Sequence, residues 1–265
     1  MSNALRLGVA RGIVELKTFF RQKEAVVFTF SLPAVIMVIL ASIFSSLDSE
    51  SGVTMSQFYA ASMTAGGIAS TSFVNLGIGV ATDRQNGTLK RLRGVPMPTP
   101  SYFIGKVILV FVASLAEVAV LLGVGVAFFG LKLPDSAAKW GTFAWVFVLG
   151  IASCSLLGIA ISGLARTAQS AIAMTNLGLL ILNFISGIYV MHLALLPKGM
   201  AIAGSFFPLK WMGQGFRSVF LPDTVLYQEM AGSWEHGRTA LVLAAWCIGG
   251  LVLCMTTFRL RDRAS

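Results

Sequence analysis

Six uninterrupted apolar runs, each long enough to cross a bilayer, constrain this chain more than any other feature. They fall at Ala25–Leu47, Phe58–Ala81, Val107–Phe129, Trp140–Leu164, Ala168–Val190 and Thr239–Phe258. A helix needs roughly 20 apolar residues to span the hydrocarbon core. The runs lack the polar–apolar alternation of barrel strands, and lipid-facing backbone must satisfy its own hydrogen bonds, so helices are the expected solution. Composition agrees: 56% of residues are hydrophobic and 12% charged, against about 25% charged in soluble domains. The expected fold class is an all-α integral membrane protein with six transmembrane helices, forming a single domain over residues 1–265. Within it, residues 1–24 read as an interfacial helix, 25–258 as a six-helix bundle and 259–265 as a cytoplasmic tail.

Orientation follows from the distribution of lysine and arginine. With the N-terminus inside, 14 of the 20 basic residues fall on inner segments, and the first outer loop holds Asp48 and Glu50 with no base. Both termini are expected on the cytoplasmic side of a plasma (inner) membrane. The net charge of +9 reflects this bias, so nucleic acid is not an expected partner, whereas anionic membrane lipid is.

Between the second and third runs lies the basic stretch Ala81–Lys106, with Arg84, Lys90, Arg91, Arg93 and Lys106 against one carboxylate, Asp83. Gly87-Thr88-Leu89-Lys90-Arg91-Leu92 predicts a short helix with Thr88 as its cap and Leu89 and Leu92 on one side. Pro96, Pro98 and Pro100 are expected to stop it and stiffen the return to the membrane. Such a helix suits docking of a cytoplasmic partner; an ordinary basic loop that only fixes topology is the other reading.

At the N-terminus, Leu5, Val9, Ile13, Leu16 and Phe20 recur at helical spacing, with Arg6, Arg11, Lys17 and Arg21 elsewhere on the wheel. This pattern predicts an amphipathic helix on the inner leaflet, serving as an anchor or in coupling. The long charged part and the absence of a small-residue cleavage site are unlike a signal peptide. Pro33 removes one hydrogen bond from the first span, and Ala61, Ala65 and Ala69 give the second a close-packing face.

Glu117 is the one charged residue inside the six runs. A carboxylate in a span marks a pathway or a protonatable site, or is satisfied structurally by neighbouring polar groups. From polarity, Phe73, Asn75, Asn183 and Phe184 are the expected companions of Glu117 along a substrate pathway. The outer segment Met191–Arg238, punctuated by Pro197, Gly204 and Pro208, predicts a short amphipathic helix over Leu209–Phe220 that dips back into the outer leaflet. His192 and His236 lack the spacing of a metal site, and no metal is expected. Cys247 and Cys254 lie seven apart on one helix, where they pack without bridging. No Gly-x-x-x-x-Gly-Lys-Ser/Thr phosphate loop occurs: Gly105-Lys106 is followed by Val107 and preceded by Pro100 at the first glycine position. No nucleophile–His–acid set appears either.

Several stretches together resemble the membrane subunits (permeases) of type-2 ATP-binding-cassette exporters. They are Asp83-x-x-x-Gly87-Thr88-Leu89-x-x-Leu92-x-x-x-Pro96; Phe184-Ile185-Ser186-Gly187 with Leu196-Pro197; Pro208-Leu209 with Arg217; and the basic N-terminus with Phe20-Arg21. The resemblance implies a dimer of permease chains, identical or closely related, above two cytoplasmic ATPase subunits that bind ATP and Mg, with no cofactor on this chain. It implies that Asp83, Gly87, Thr88, Leu89, Lys90, Arg91, Leu92 and Pro96 form the coupling element. Ser186, Gly187, Pro197, Pro208 and Arg217 would belong to an outer gate with re-entrant helices between spans five and six. Gln85 departs from the pattern, since many members carry a second carboxylate there. The function implied is ATP-driven export of a hydrophobic or amphipathic compound, drug-like or lipid-like; a proton-coupled transporter or flippase using Glu117 is the alternative.

Overall fold

The computed structural model describes residues 3–44, 53–94, 98–190 and 197–262, without the side chains of residues 90, 93, 99 and 256–262. Pro96, His192 and Leu196 therefore lie outside the described residues. Every regular element among them is helical. The order is α1 (Asn3–Arg21), α2 (Lys23–Ile43), α3 (Met55–Ala69), a π turn (Ser70–Asn75), α4 (Leu76–Gln85), α5 (Thr88–Arg93) and α6 (Thr99–Phe129). There follow α7 (Ala137–Leu164), α8 (Ala168–Ile185), α9 (Lys198–Phe206), α10 (Pro208–Phe220), a 3-10 turn (Asp223–Gln228) and α11 (His236–Asp262). By length and composition, five of these helices can each cross a membrane: α2, α6, α7, α8 and α11. The second apolar run differs from the expected single helix, because the π turn divides it between α3 and α4.

That turn is positioned by a backbone contact. A side chain on Gly158 of α7 would collide with the carbonyl oxygen of Phe73, and one on Gly77 would come within 3.0 Å of the Gly158 carbonyl. Two helices approach this closely only where one of them has no Cβ. The extra residue of the π turn bulges the chain toward that glycine. Ser72 returns a hydrogen bond to the Ile68 carbonyl at 2.5 Å, helping to satisfy the widened turn.

Helix ends are closed locally and then tied across the bundle. Thr54 and Gln57 form a reciprocal capping box at the start of α3. Gln57 also donates to the carbonyl of Gly130 at 2.9 Å, and Gly130 ends α6 in the left-handed region at φ 63. At the other end of α6 the prolines act differently from expectation. Pro98 and Pro100 begin this helix, since a first-turn proline forfeits no hydrogen bond. The helix of the third apolar run therefore starts eight residues before that run, at Thr99, and takes Tyr102 and Lys106 out of the loop.

The chain reverses after α8 at Gly187, φ 71, where the Asn183 carbonyl accepts from Ile188 and Tyr189. α9 and α10 then form a tight pair joined through Phe207, with Gly204 pressed on the Ile185 carbonyl. α10 sits among α3, α7 and α11, and all its residues but Ser218 are buried. Replacing Gly158 by Ala is expected to cost about 2–3 kcal/mol through overpacking. Gly123→Ala, where a Cβ meets open space, is expected to be neutral or slightly stabilising. Thermal unfolding of both variants in detergent, followed by tryptophan fluorescence, checks this.

Candidate functional site

The polar groups concentrate where α1, α4 and α6 converge. Gly8 and Gly12 of α1 lie against Ile104 and Ile108 of α6, so close that a Cβ would clash with either side chain. The small-residue face of α1 thus meets the bundle, while Leu5, Val9, Ile13 and Phe20 stay exposed. This contact brings α1's Glu15 to Lys106 of α6, at 3.0 Å. Lys106 also pairs with Asp83 of α4 at 2.8 Å, and the same Asp83 oxygen accepts from the Tyr102 hydroxyl at 2.8 Å. Arg11 completes the set by pairing with Glu15 at 2.7 Å. Lys106 is only 5% exposed. A cation so deep is tolerable because two carboxylates surround it and the cluster of two acids and two bases sums to zero. One oxygen of Asp83 thus serves contacts within its own chain.

The next two residues reach the other side of the bundle. Arg84 donates to the carbonyls of Ser162 and Ala165 at 2.8 and 2.6 Å, at the end of α7. The Gln85 side-chain oxygen accepts from the Ala168 amide at 2.6 Å, at the start of α8. An amide oxygen serves there as well as a carboxylate would, which gives the departure at Gln85 a structural use. Beyond them Gly87, φ 71, turns the chain into α5. It occupies the cap position with no side-chain hydrogen bond, so Thr88 is the first helical residue and not the cap. The left-handed conformation needed to redirect the backbone suits glycine and not threonine. α5 packs on α4 with Leu89 and Leu92 half-buried, and Arg91 donates to the Asn86 carbonyl at 2.7 Å.

Midway along the bundle, Glu117 is fully buried and accepts from Thr71 of the π turn at 2.5 Å. Its other oxygen has no partner among the described residues and lies against Gly67, where a Cβ would come within 3.0 Å. No ion pair involving Glu117 occurs among the described residues. Among the described residues, the expected companions have different surroundings. Asn75 borders an inner cleft and donates to Thr29 at 3.2 Å. Phe73 is buried at 2% exposure under α7 and α8. Asn183 is buried beside Gly66, and Phe184 stands 50% exposed with its ring against Tyr189.

Away from this cluster, Arg217 is fully buried on α10. Its Nε pairs with Glu229 at 2.6 Å, another nitrogen donates to Ser62 of α3 at 3.3 Å, and the guanidinium lies over Phe58. Ser186 and Pro208 are buried at helix ends, whereas Pro197 is exposed at the start of α9. Glu229, Thr71, Tyr102 and the burial of Lys106 escaped the sequence reading. Tyr102 and Lys106 lie four apart on one helix, a pairing visible once Pro98-Thr99-Pro100 is taken as a helix start. No comparable signal marks Glu229. Among the described residues no three His, Cys, Asp or Glu side chains come together as a metal site.

A helical bundle of this kind, with five membrane-length helices, defines a multi-pass membrane protein. The ABC-2 type transporter family model matches residues 12–221, and the chain belongs to that family. It is a transport subunit of the ABC class, whose permease domains work with ABC ATPase subunits. No curated protein sequence matches the chain.

Arg217→Met leaves the Glu229 carboxylate, 2% exposed, without its counter-charge, and is expected to destabilise the protein by about 3–5 kcal/mol. Adding Glu229→Gln should recover most of that loss. Thermal denaturation of the single and double variants in detergent measures both effects.

Proposed function

We propose that the chain is the permease subunit of an ATP-driven exporter, with ATP and Mg held by a pair of separate cytoplasmic ATPase subunits. In this reading the α3–π–α4 stretch is the second of six spans, residues 1–265 are one transmembrane domain, and both termini face the cytoplasm at the plasma membrane. Two permease chains, identical or closely related, pair around a central cleft. The observation that carries the reading is the way α4 is wired at its inner end. Asp83 reaches α6 and α1 through Lys106, while Arg84 and Gln85 grip the α7–α8 corner.

A displacement of α5 is therefore shared among five helices. α5 is the coupling helix: it seats Leu89 and Leu92, with Lys90 and Arg91, in the ATPase, and Pro96 closes the element. When the ATPases close on ATP, the push passes through Gly87 into α4 and from there to the spans bordering the cleft. α9 and α10, with Arg217 latched to Glu229, form the outer gate together with Ser186, Gly187, Pro197 and Pro208. The apolar character of the spans suits a hydrophobic or amphipathic substrate, drug-like or lipid-like, with Phe73, Asn75, Glu117, Asn183 and Phe184 contributing to its path as the chains rearrange.

Affinity purification of the tagged chain in mild detergent tests the proposal. A stoichiometric phosphate-loop ATPase is expected to co-purify, and Leu89→Asp with Leu92→Asp is expected to abolish its recovery while leaving the permease in the membrane. Recovery of the ATPase with the double variant would sink the coupling assignment. Glu117→Gln preserves the acceptor for Thr71, so stability should change by less than about 1 kcal/mol, while turnover or substrate range in a reconstituted transport assay should change. Transport unaltered in that variant removes Glu117 from the pathway.

A further inference from the structure

A cavity of about 310 Å³ opens between α1–α2 and α4–α6, and Lys106, Asp83 and Glu15 form its polar end. An ammonium has three N–H donors; Glu15 and Asp83 take two of those of Lys106, which leaves one for an occupant. The space beside that nitrogen is held open by Gly79, where even a Cβ would stand only 3.9 Å from Nζ. Asp83 in turn uses one oxygen for both Tyr102 and Lys106, and its second oxygen has no partner among the described residues.

The cavity thus offers one donor of positive charge and one acceptor of negative charge, within a cluster whose four ionised groups cancel. A lone anion or a lone cation gains little from a neutral site; a zwitterion with both charges a few bonds apart is matched at both ends. The remaining walls divide in the same sense. Gln22, Thr29 and Asn75 supply uncharged polar groups, and Phe19, Leu76 and Val110 supply apolar surface.

Position selects the source of the zwitterion. Gln22, the joint between α1 and α2, borders the cavity. α1 exposes Val9, Ile13, Val14 and Phe20, the face of a helix that lies in the headgroup–acyl boundary. The mouth therefore sits where inner-leaflet headgroups are, and not in bulk water.

We propose that this cavity is a binding site for an inner-leaflet phospholipid with a primary-amine zwitterionic headgroup, its phosphate on Lys106 and its ammonium on Asp83. A quaternary amine has no N–H to donate to Asp83, and a glycerol headgroup has no cation at all, so both bind more weakly. The bound lipid bridges α1, α4 and α6 and makes their union lipid-dependent. The inference rests on α1 lying at the inner leaflet and not on the export reading.

Native mass spectrometry of the full chain, purified and delipidated in mild detergent, tests it with added phosphatidylethanolamine, phosphatidylcholine and phosphatidylglycerol. One retained phosphatidylethanolamine per chain is expected, at least about tenfold more occupied than either of the others. Gly79→Leu, which fills the space beside Nζ without removing a charged group, is expected to cut that occupancy at least about tenfold, with an elution profile and thermal midpoint unchanged from the parent chain when both are delipidated. Should that variant fail to fold, Thr18→Trp at the exposed α1 wall is expected to give the same loss. Equal retention of the three lipids, or retention unaffected in the folded variant, overturns the site. Displacement of the lipid by equimolar soluble glycerophosphoethanolamine overturns the lipid assignment in favour of a free amine-phosphate ligand. An export-negative protein that still binds the lipid leaves this inference standing and refutes the export reading alone.

Discussion

The ammonium of Lys106, almost out of reach of solvent between Glu15 and Asp83, is the interaction on which the union of α1, α4 and α6 depends. Taking a lysine out of water costs several kcal/mol unless its charge is met at close range. Meeting it here requires a carboxylate from α1 and another from α4 at the same point on α6. The three helices are consequently held in one relative position, and the glycines of α1 allow the approach that brings Glu15 into range. The neighbouring residues Arg84 and Gln85 extend the constraint to the α7–α8 corner. In the proposed exporter, this is what lets a small helix with few contacts of its own move a bundle.

The middle of the bundle is organised on a different principle. There the π turn and Gly158 place backbone against backbone, and Glu117 accepts from Thr71 while its second oxygen has no partner among the described residues. A closely packed crossing transmits displacement because it has little room to absorb it. The buried Glu117 oxygen that has no partner among the described residues lies between α3 and α6, so its satisfaction depends on their arrangement. A second ionic contact repeats this solution elsewhere, with Arg217 and Glu229 joining α10 to the segment that follows it. Ionic clamps at the two ends and a bare-backbone contact between them suit a bundle that rocks about its centre.

Much of this was legible along the chain, and the reasons are particular. The apolar runs identify the membrane helices because hydropathy is summed over about 20 residues and survives local irregularity. Leu209–Phe220 was readable as an amphipathic helix from the helical spacing of its apolar residues, and α10 occupies Pro208–Phe220. Arg11 and Glu15, four apart on a helix, were readable as a pair. The start of α6 was misplaced because the hydropathy signal begins only at Val107, whereas helix propensity and the Pro98–Pro100 start extend the element to Thr99. That one displacement made Lys106 look like a loop cation.

Local sequence therefore determined the helical membrane class, the amphipathic α1 and α10, and the presence of a short basic helix after the second apolar run. Each depends on neighbours within one or two turns. Tertiary structure alone decided that Asp83 turns inward to Lys106, that Glu117 meets Thr71 across 46 residues, and that Gly158 receives the Phe73 carbonyl. It also decided that Arg217 finds Glu229. These contacts join residues whose spacing in sequence carries no period, and they exist only because packing brings separate helices to the same depth.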